Sequence, residues 1–360
     1  MRDASVSILT SGIGLGVYMP ALLLEGQLRG LGVEAEVEVL EGYYTDDGQR
    51  RQLAHARACR DDFALARMAH RMARDVAPAL DGARLDALLA RWAAERRRRF
   101  MVWSGFWLPI LERHRATLGE PLLVDRCRID AEVSASFRVH AELARDANEV
   151  WLWSWAERRT GFEIAVAAQA PLSFAARARR LVVHGGGWGI GTYRERLPDL
   201  RAAGWSCDVV VHDAREADGG DDRWFMIDPA WRPWHRHERG HVFPPLAELG
   251  AAPRSTDEHA LFQPIRCAMA IVSKPGGGTL IDSLAAATPI VLLEPYGYAE
   301  ASNAALWEHL GFGVSYARWR ETGFDEAVLR RLHENLRGRS ARGPDYARDY
   351  AARIAAELRA

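Results

Sequence analysis

Lysine is almost missing from this chain. Of its 47 lysine and arginine residues, 46 are arginine and one is lysine, Lys274. A strong coding bias toward Arg and Ala codons produces such a shortage, so only the position of the survivor carries information. Cysteine is scarce as well. The four residues Cys59, Cys127, Cys207 and Cys267 lie far apart with no C-x-x-C. That excludes a disulfide scaffold and suits the reduced thiols of a cytoplasmic protein. Charge of one sign is not in excess: 47 cations against 48 carboxylates give a net charge of −1. A chain so balanced argues against nucleic acid or an anionic membrane surface as its main partner. No run of about 18 apolar residues exists, so no transmembrane helix is expected. Met1 to Val6 lack the apolar stretch and cleavage site of a signal peptide.

Several catalytic signatures are missing too. There is no G-x-x-x-x-G-K-[ST] loop, which disfavours phosphoryl transfer from ATP, and no H-E-x-x-H. Ser104-Gly105 lacks the flanking glycine of a nucleophile elbow. Asp46-Asp47 and Asp221-Asp222 are adjacent pairs rather than D-x-D. His235, His237 and His241 approach metal spacing, but no Cys or Glu motif completes a site, so no metal is expected.

What is present is the material of a globular protein, 48% hydrophobic and 26% charged over 360 residues, a length that suits two domains of about 150–200 residues. Strands and helices alternate. Val6–Thr10 reads as a strand, Ser11–Gly16 as a glycine turn, Pro20–Arg29 as a helix and Glu34–Leu40 as a strand. The unit recurs at Arg180–His184, Gly185–Gly191, Thr192–Ala203 and Cys207–His212. Two such units about 170 residues apart indicate an α/β protein with two Rossmann-like domains. Residues 50–99 read as a helical insertion in the first. The run Arg96–Arg99 reads as a solvated helix end, with a phosphate or lipid-headgroup patch as the alternative. Trp103-Ser104-Gly105-Phe106-Trp107 either lines a cleft or belongs to the core. Tyr346, Tyr350, Ile354 and Leu358, at i+4 steps, form one face of a C-terminal helix that must dock on something.

The third glycine cluster is the most informative. Ala268–Val272 is a strand, Ser273-Lys274-Pro275-Gly276-Gly277-Gly278-Thr279 a loop, and Leu280–Ala287 a helix. Glycines that open a helix at the C-terminal edge of a strand present free N–H groups at the positive end of the helix dipole, a ready site for a diphosphate. Gly12, Gly14 and Gly16 form a looser cluster that tight packing explains as well as ligand binding.

The segment Ser273–Thr279, followed by Asp282, Ala285-Ala286-Ala287 and Pro289, resembles the donor-binding segment of glycosyltransferase family 28. That family includes the N-acetylglucosaminyltransferase that forms lipid II and the diacylglycerol glucosyltransferases. The resemblance covers residues 180–316 well and the first half only in outline. It implies the GT-B fold, with a first domain over residues 1–170 that binds the acceptor, a second over 178–340 that binds the nucleotide sugar, and a helix over 341–360 that crosses back. It implies an inverting, metal-independent hexosyltransferase with no cofactor beyond a nucleotide-sugar co-substrate, UDP- or dTDP-linked. The acceptor would be a small or lipid-like molecule, which leaves peripheral membrane contact open.

The same resemblance implies roles by position. Asp282, where the family has Glu, would take the ribose hydroxyls. Ser273, Gly276, Gly277, Gly278 and Thr279 would hold the diphosphate, with Gly186, Gly187 and Trp188 opposite and Gly14 in the first loop. Phe243, in His241-Val242-Phe243-Pro244, would fall where a backbone segment contacts the base. Glu300, where the family often has Gln, and Asn303 would read the sugar. Lys274 would offer the departing diphosphate a compact charge. The family histidine after the first glycine loop is Val17 here, and valine moves no proton. Asp125, Asp130 and Glu41 are candidate replacements; His140 and His184 are weaker ones. Two other classes fit these features, a UDP-sugar 2-epimerase-like isomerase and a non-catalytic nucleotide-sugar-binding partner protein.

Overall fold

The computed structural model describes residues 5–71, 75–143, 146–218, 220–251, 259–339 and 342–359. Two parallel sheets organise it. The first carries β1 (Val6–Thr10), β2 (Ala35–Val39), β3 (Arg99–Val102), β4 (Leu123–Arg128) and β5 (Asn148–Trp151), in the order β2-β1-β3-β4-β5. All four pairings are parallel. A small antiparallel pair follows, β6 (Trp153–Ser154) and β7 (Arg159–Thr160). The second sheet carries β8 (Ala178–His184), β9 (Ser206–Val211), β10 (Arg223–Ile227), β11 (Leu246–Glu248), β12 (Ala268–Ser273), β13 (Ile290–Leu292) and β14 (Gly313–Ser315). Its order is β11-β10-β9-β8-β12-β13-β14, and only β11 runs antiparallel.

The strands at the centre of each sheet are covered on both faces. Every residue of β1 and of β12 is buried, the consequence of helices packing on both sides of a parallel sheet. In each sheet the order reverses beside a glycine loop, between β1 and β3 and between β8 and β12. A ligand crevice in an open α/β sheet forms at such a switch point.

The first helix, Leu15–Gly30, starts five residues before the expected Pro20, because Leu15, Tyr18 and Met19 bury themselves against the sheet. Its preceding residue, Gly14, has φ +76, a conformation that favours glycine. Among the described residues, the stretch 46–94 carries the α-helices Asp46–Asp61, Phe63–Arg71 and Gly82–Ala94. The arginine run is a solvated helix end only at its start, where Arg96 follows the helix Gly82–Ala94 with its side chain exposed. Arg97 and Arg99 are only 7% and 6% exposed, and Arg99 opens β3 and pairs with Glu357 at 2.6 Å. The Trp103–Trp107 stretch packs inward. Both tryptophans are buried, and Trp107 donates its indole N–H to Thr10 O at 2.7 Å.

The two halves share one apolar cluster that runs from Ile8 and Ile129 to Leu280 and Ile290. Trp153 meets Trp307 edge-on in it, ring centroids 5.3 Å apart. The C-terminal helix Tyr346–Glu357 packs back onto the first half. Tyr346 donates to Asp125 Oδ2 at 2.7 Å, and Arg353 grips both Asp125 oxygens at 2.5 and 3.2 Å. Asp125 is therefore corrected from a candidate base to the anchor of this helix, since its carboxylate is spent on Tyr346, Arg353 and Asn148. Asp125→Ala is expected to cost about 2–3 kcal/mol in chemical denaturation. That is below the 3–5 kcal/mol of a fully buried pair because the Arg353 side chain stays 38% exposed.

Buried Arg177, just before β8, has no carboxylate partner among the described residues. It instead donates to the carbonyls of Ala268 and Ala286 at 2.8 and 2.7 Å and to Thr288 Oγ1 at 2.6 Å. Burial pushes its pKa down to about 10, which leaves it charged at neutral pH.

Candidate active site in the cleft

Three glycine loops, after β1, β8 and β12, meet between the two halves. The loop after β12 ends at Gly276 and leads into the helix Gly277–Ala286, and no side chain caps this helix N-terminus. Its first N–H groups therefore remain free at the positive end of the dipole. The first-half loop closes on it: a methyl group placed on Gly278 would lie 3.4 Å from Gly16 Cα, and one on Gly277 would lie 2.5 Å from Ile129 O. The loop after β8 is equally tight. A methyl on Gly187 would lie 2.2 Å from Leu15 Cγ, and Trp188 donates its indole N–H to Gly12 O at 3.2 Å. The residue types follow from the contacts, because backbone approaches backbone at Gly277 and Gly278, and the Leu15 side chain fills the space beside Gly187.

The first loop is held from below by Glu41. Its carboxylate accepts from Ser11 Oγ and Gly12 N, both at 2.6 Å, and from Ile13 N at 3.2 Å. Glu41 is completely buried, which raises its pKa against those hydrogen bonds. It is a positioning group for the loop. His184 plays a similar part under the second loop, where its Nδ1 accepts from Gly186 N at 3.0 Å. Burial, and after it the charge of Lys274, pushes the His184 pKa down to about 3. His212, beside Gly189, is held neutral by burial at about 4. These rings are fixed neutral supports at physiological pH.

The loops enclose a cavity of about 320 Å³, within the size range of small-ligand sites. Gly14, Gly186, Gly187, Trp188, Lys274, Gly276, Gly277, Gly278, Thr279, Asp282, Glu300 and Asp130 all line it, as does Val17. Asp282 lies five residues along the helix from Gly277, about 7.5 Å at 1.5 Å per residue. Its Oδ2 faces His259 Nε2 at 3.0 Å. At the other end, Lys274 pairs with Glu300 Oε1, and Glu300 Oε2 accepts from Tyr296 N at 2.7 Å. The only lysine of the chain therefore points into this cavity, with its side chain 14% exposed.

Besides Glu41 and His140, which do not line the cavity, four expected residues lie elsewhere. Asp125 anchors the C-terminal helix. Ser273 is fully buried beneath the loop, its Oγ 3.5 Å from His184 Nδ1. Phe243 joins the apolar cluster with its side chain, and it is the neighbouring Pro244 that reaches the cavity. Asn303 is fully buried and clamps the two halves. Its Oδ1 accepts from Ala131 N at 2.7 Å, and its Nδ2 donates to Asp130 Oδ1 at 2.8 Å and to Pro275 O at 2.9 Å. Fully buried, this amide does not line the cavity where a sugar would lie.

Asp130 differs from Asp125 in place and in chemistry. It follows β4, past the strand's C-terminal edge, and lines the cavity. Burial raises its pKa from 3.8 to about 6, opposed by the hydrogen bond from Asn303. Two further cavity residues, His70 and His259, carry no signal in sequence spacing. Each comes from a segment that reaches the cleft only through tertiary folding. Among the described residues no group of three His, Cys, Asp or Glu side chains could hold a metal ion. Nor is any helix among them long and apolar enough to cross a membrane.

The geometry matches solved structures along the whole chain. The chain is similar to MurG from Acinetobacter baumannii at 13% identity, with TM-score 0.55 and coverage of 98% of this chain and 100% of that one. It is similar to the spinosyn rhamnosyltransferase SpnG at 16% identity, TM-score 0.53 and coverage of 98% and 100%. The glycosyltransferase SnogD from Streptomyces nogalater aligns at 15% identity, TM-score 0.51 and coverage of 98% and 99%. The fold is thus GT-B, that of glycosyltransferases including those of family 28. No protein-family profile and no curated relative matches the sequence.

Proposed function

We propose that this chain transfers a hexose-type sugar from a nucleoside diphosphate donor, UDP- or dTDP-linked, to a small or lipid-like acceptor, with inversion and without a metal ion. The observation that carries this reading is the uncapped N-terminus of the helix Gly277–Ala286, which opens into a cavity that also holds Asp282 and Lys274. The diphosphate would rest on the free N–H groups of Gly277, Gly278 and Thr279, and Asp282 would accept a ribose hydroxyl.

Asp130 supplies the base that Val17 does not. The acceptor O–H gives its proton to the Asp130 carboxylate while the oxygen attacks the anomeric carbon from the face opposite the diphosphate. The bond from that carbon to the diphosphate oxygen breaks as the new one forms, in one displacement. The negative charge that grows on the diphosphate meets the helix N-terminus and Lys274, which play the part that a divalent ion plays in other transferases. On this reading the half built on β1–β5 receives the acceptor and the half built on β8–β14 the donor. An apolar acceptor is supported by the walls of the first half, where Leu15, Val17, Met19 and Leu23 face the cavity. Cys59, Cys127, Cys207 and Cys267 are all unpaired, which suits a reducing, cytoplasmic setting.

The VinC glycosyltransferase was solved with dTDP and has TM-score 0.51 to this chain at 13% identity, which supports testing both nucleotides. Incubation with UDP- and dTDP-hexoses against a panel of apolar alcohols and phenols tests the proposal. Nucleoside diphosphate release that depends on the acceptor supports it. An epimerised nucleotide sugar formed without acceptor, or binding without turnover, contradicts it.

A further inference from the structure

The helices Asp46–Asp61 and Phe63–Arg71 start on the first half, where Gln49 donates to Glu41 O at 2.8 Å, and reach the second at their C-terminal ends. A methyl group on Gly189, in the loop after β8, would lie 3.2 Å from Arg60 Cδ. The far end of the insertion is fitted still more closely. The His70 ring lies against the turn that opens the helix Tyr298–Leu310, with centroids 4.6 Å from Tyr296 and 6.0 Å from Tyr298. A methyl on Gly297 would lie 2.2 Å from His70 Cδ2, so glycine at that position makes room for the imidazole.

His70 lines the cavity. Its Nε2 is shut off from solvent and has no hydrogen-bond partner among the described residues. Buried polar atoms are nearly always paired. This one lies toward Gly297, where a methyl group would be 2.3 Å from it, so the ring has to turn slightly for a ligand atom in the cavity to reach it. Burial lowers the pKa of this ring, an effect that Glu300 opposes and Lys274 reinforces. The ring is therefore neutral, with one nitrogen that donates and one that accepts.

Its place along the cavity decides what it meets. The Asp282–His259 pair marks one end, and the helix N-terminus with Lys274 follows. His70 lies beyond them, within electrostatic reach of Glu300 and Lys274. If the diphosphate sits on the helix N-terminus and the nucleoside runs toward Asp282, the group beyond the diphosphate is the sugar. Resting on that reading of the donor site, we propose that His70, carried across the cleft by the helical insertion, hydrogen-bonds a hydroxyl group of the transferred sugar. The sugar subsite is then built from both halves, and the first half takes part in donor selection as well as acceptor binding.

His70→Phe separates nitrogen chemistry from packing, because the ring against Gly297 and Tyr296 is retained. The test is calorimetric titration of the wild-type chain and this variant with UDP and dTDP. The same titrations use the glucose, galactose and N-acetylglucosamine conjugates of UDP and the glucose conjugate of dTDP. The variant is expected to keep the wild-type Tm and to bind the free nucleotide within about twofold. It should bind the best conjugate about tenfold more weakly, the loss of one hydrogen bond. His70→Asn, which keeps a polar group, should regain part of that loss. A conjugate affinity unchanged in His70→Phe overturns the inference, as does an equal loss for nucleotide and conjugate. A wild-type chain whose conjugates bind no tighter than the free nucleotide overturns it too. If neither UDP nor dTDP binds the wild-type chain, the donor-site reading itself falls and takes this inference with it.

Discussion

Asp130→Asn is expected to lower kcat by about 10²–10⁴-fold, the usual contribution of a positioned base, while the affinity for the nucleotide stays within about twofold. The amide is nearly the same size and its oxygen can still accept from Asn303, so the clamp between the halves survives. The pH dependence carries a second signature. The wild-type carboxylate ionises at about 6, so kcat/KM should rise about tenfold per pH unit below that value and level off above it. In the variant that limb should disappear. Stability should move in the opposite sense. Asp130 is harder to ionise in the folded chain than at its ordinary value of 3.8. Its contribution is therefore most favourable below 3.8 and is lost as pH rises through about 6. The substituted amide is neutral throughout, so the variant should unfold no lower than the wild type at pH 7 while losing most of its turnover. Loss of turnover together with a lowered Tm would mean that Asp130 holds the cleft rather than serving the reaction.

The second large effect concerns the lone lysine. Lys274→Arg keeps the charge, yet it should lower turnover by about tenfold or more. The side chain is enclosed, paired with Glu300, and its Nζ stands 5.8 Å from the centre of the Tyr296 ring. A planar guanidinium is larger and presents its donors in a fixed fork, so it does not fit a space made for a point charge. Arg96–Arg99 is unsuitable as the control, because Arg97 and Arg99 are buried. Arg51, whose side chain is 82% exposed, is the better one. Arg51→Lys should leave steady-state rates unchanged. Equal, negligible effects of both exchanges would return Lys274 to an accident of composition.

The glycine loops were legible in the sequence because local rules govern them. Strand, consecutive glycines and helix follow one another in the chain, and the fold brings the strand ends to one edge. Asp125 and Asp130 could not be separated in this way. They lie five residues apart near the end of one strand, but one is inside β4, covered by the returning C-terminal helix, and the other has passed the edge. What distinguishes them is contact with Tyr346 and Arg353, more than 200 residues away. Glu300 and Asn303 pose the same difficulty on one helix. Three residues apart they share a face, yet Glu300 meets Lys274 in the cavity while Asn303 is consumed in joining the halves. His70 and His259 were invisible because no local pattern fixes how far an insertion or a loop reaches.

Calorimetric titration of the wild-type chain with UDP, dTDP and the matching monophosphates tests the central claim most directly. The claim is that the helix N-terminus at Gly277 binds a nucleoside diphosphate. It predicts saturable micromolar binding of at least one diphosphate, and at least about tenfold weaker binding of its monophosphate, which reaches fewer of the N–H groups. No saturable binding of either diphosphate, or a monophosphate that binds as tightly, would contradict it.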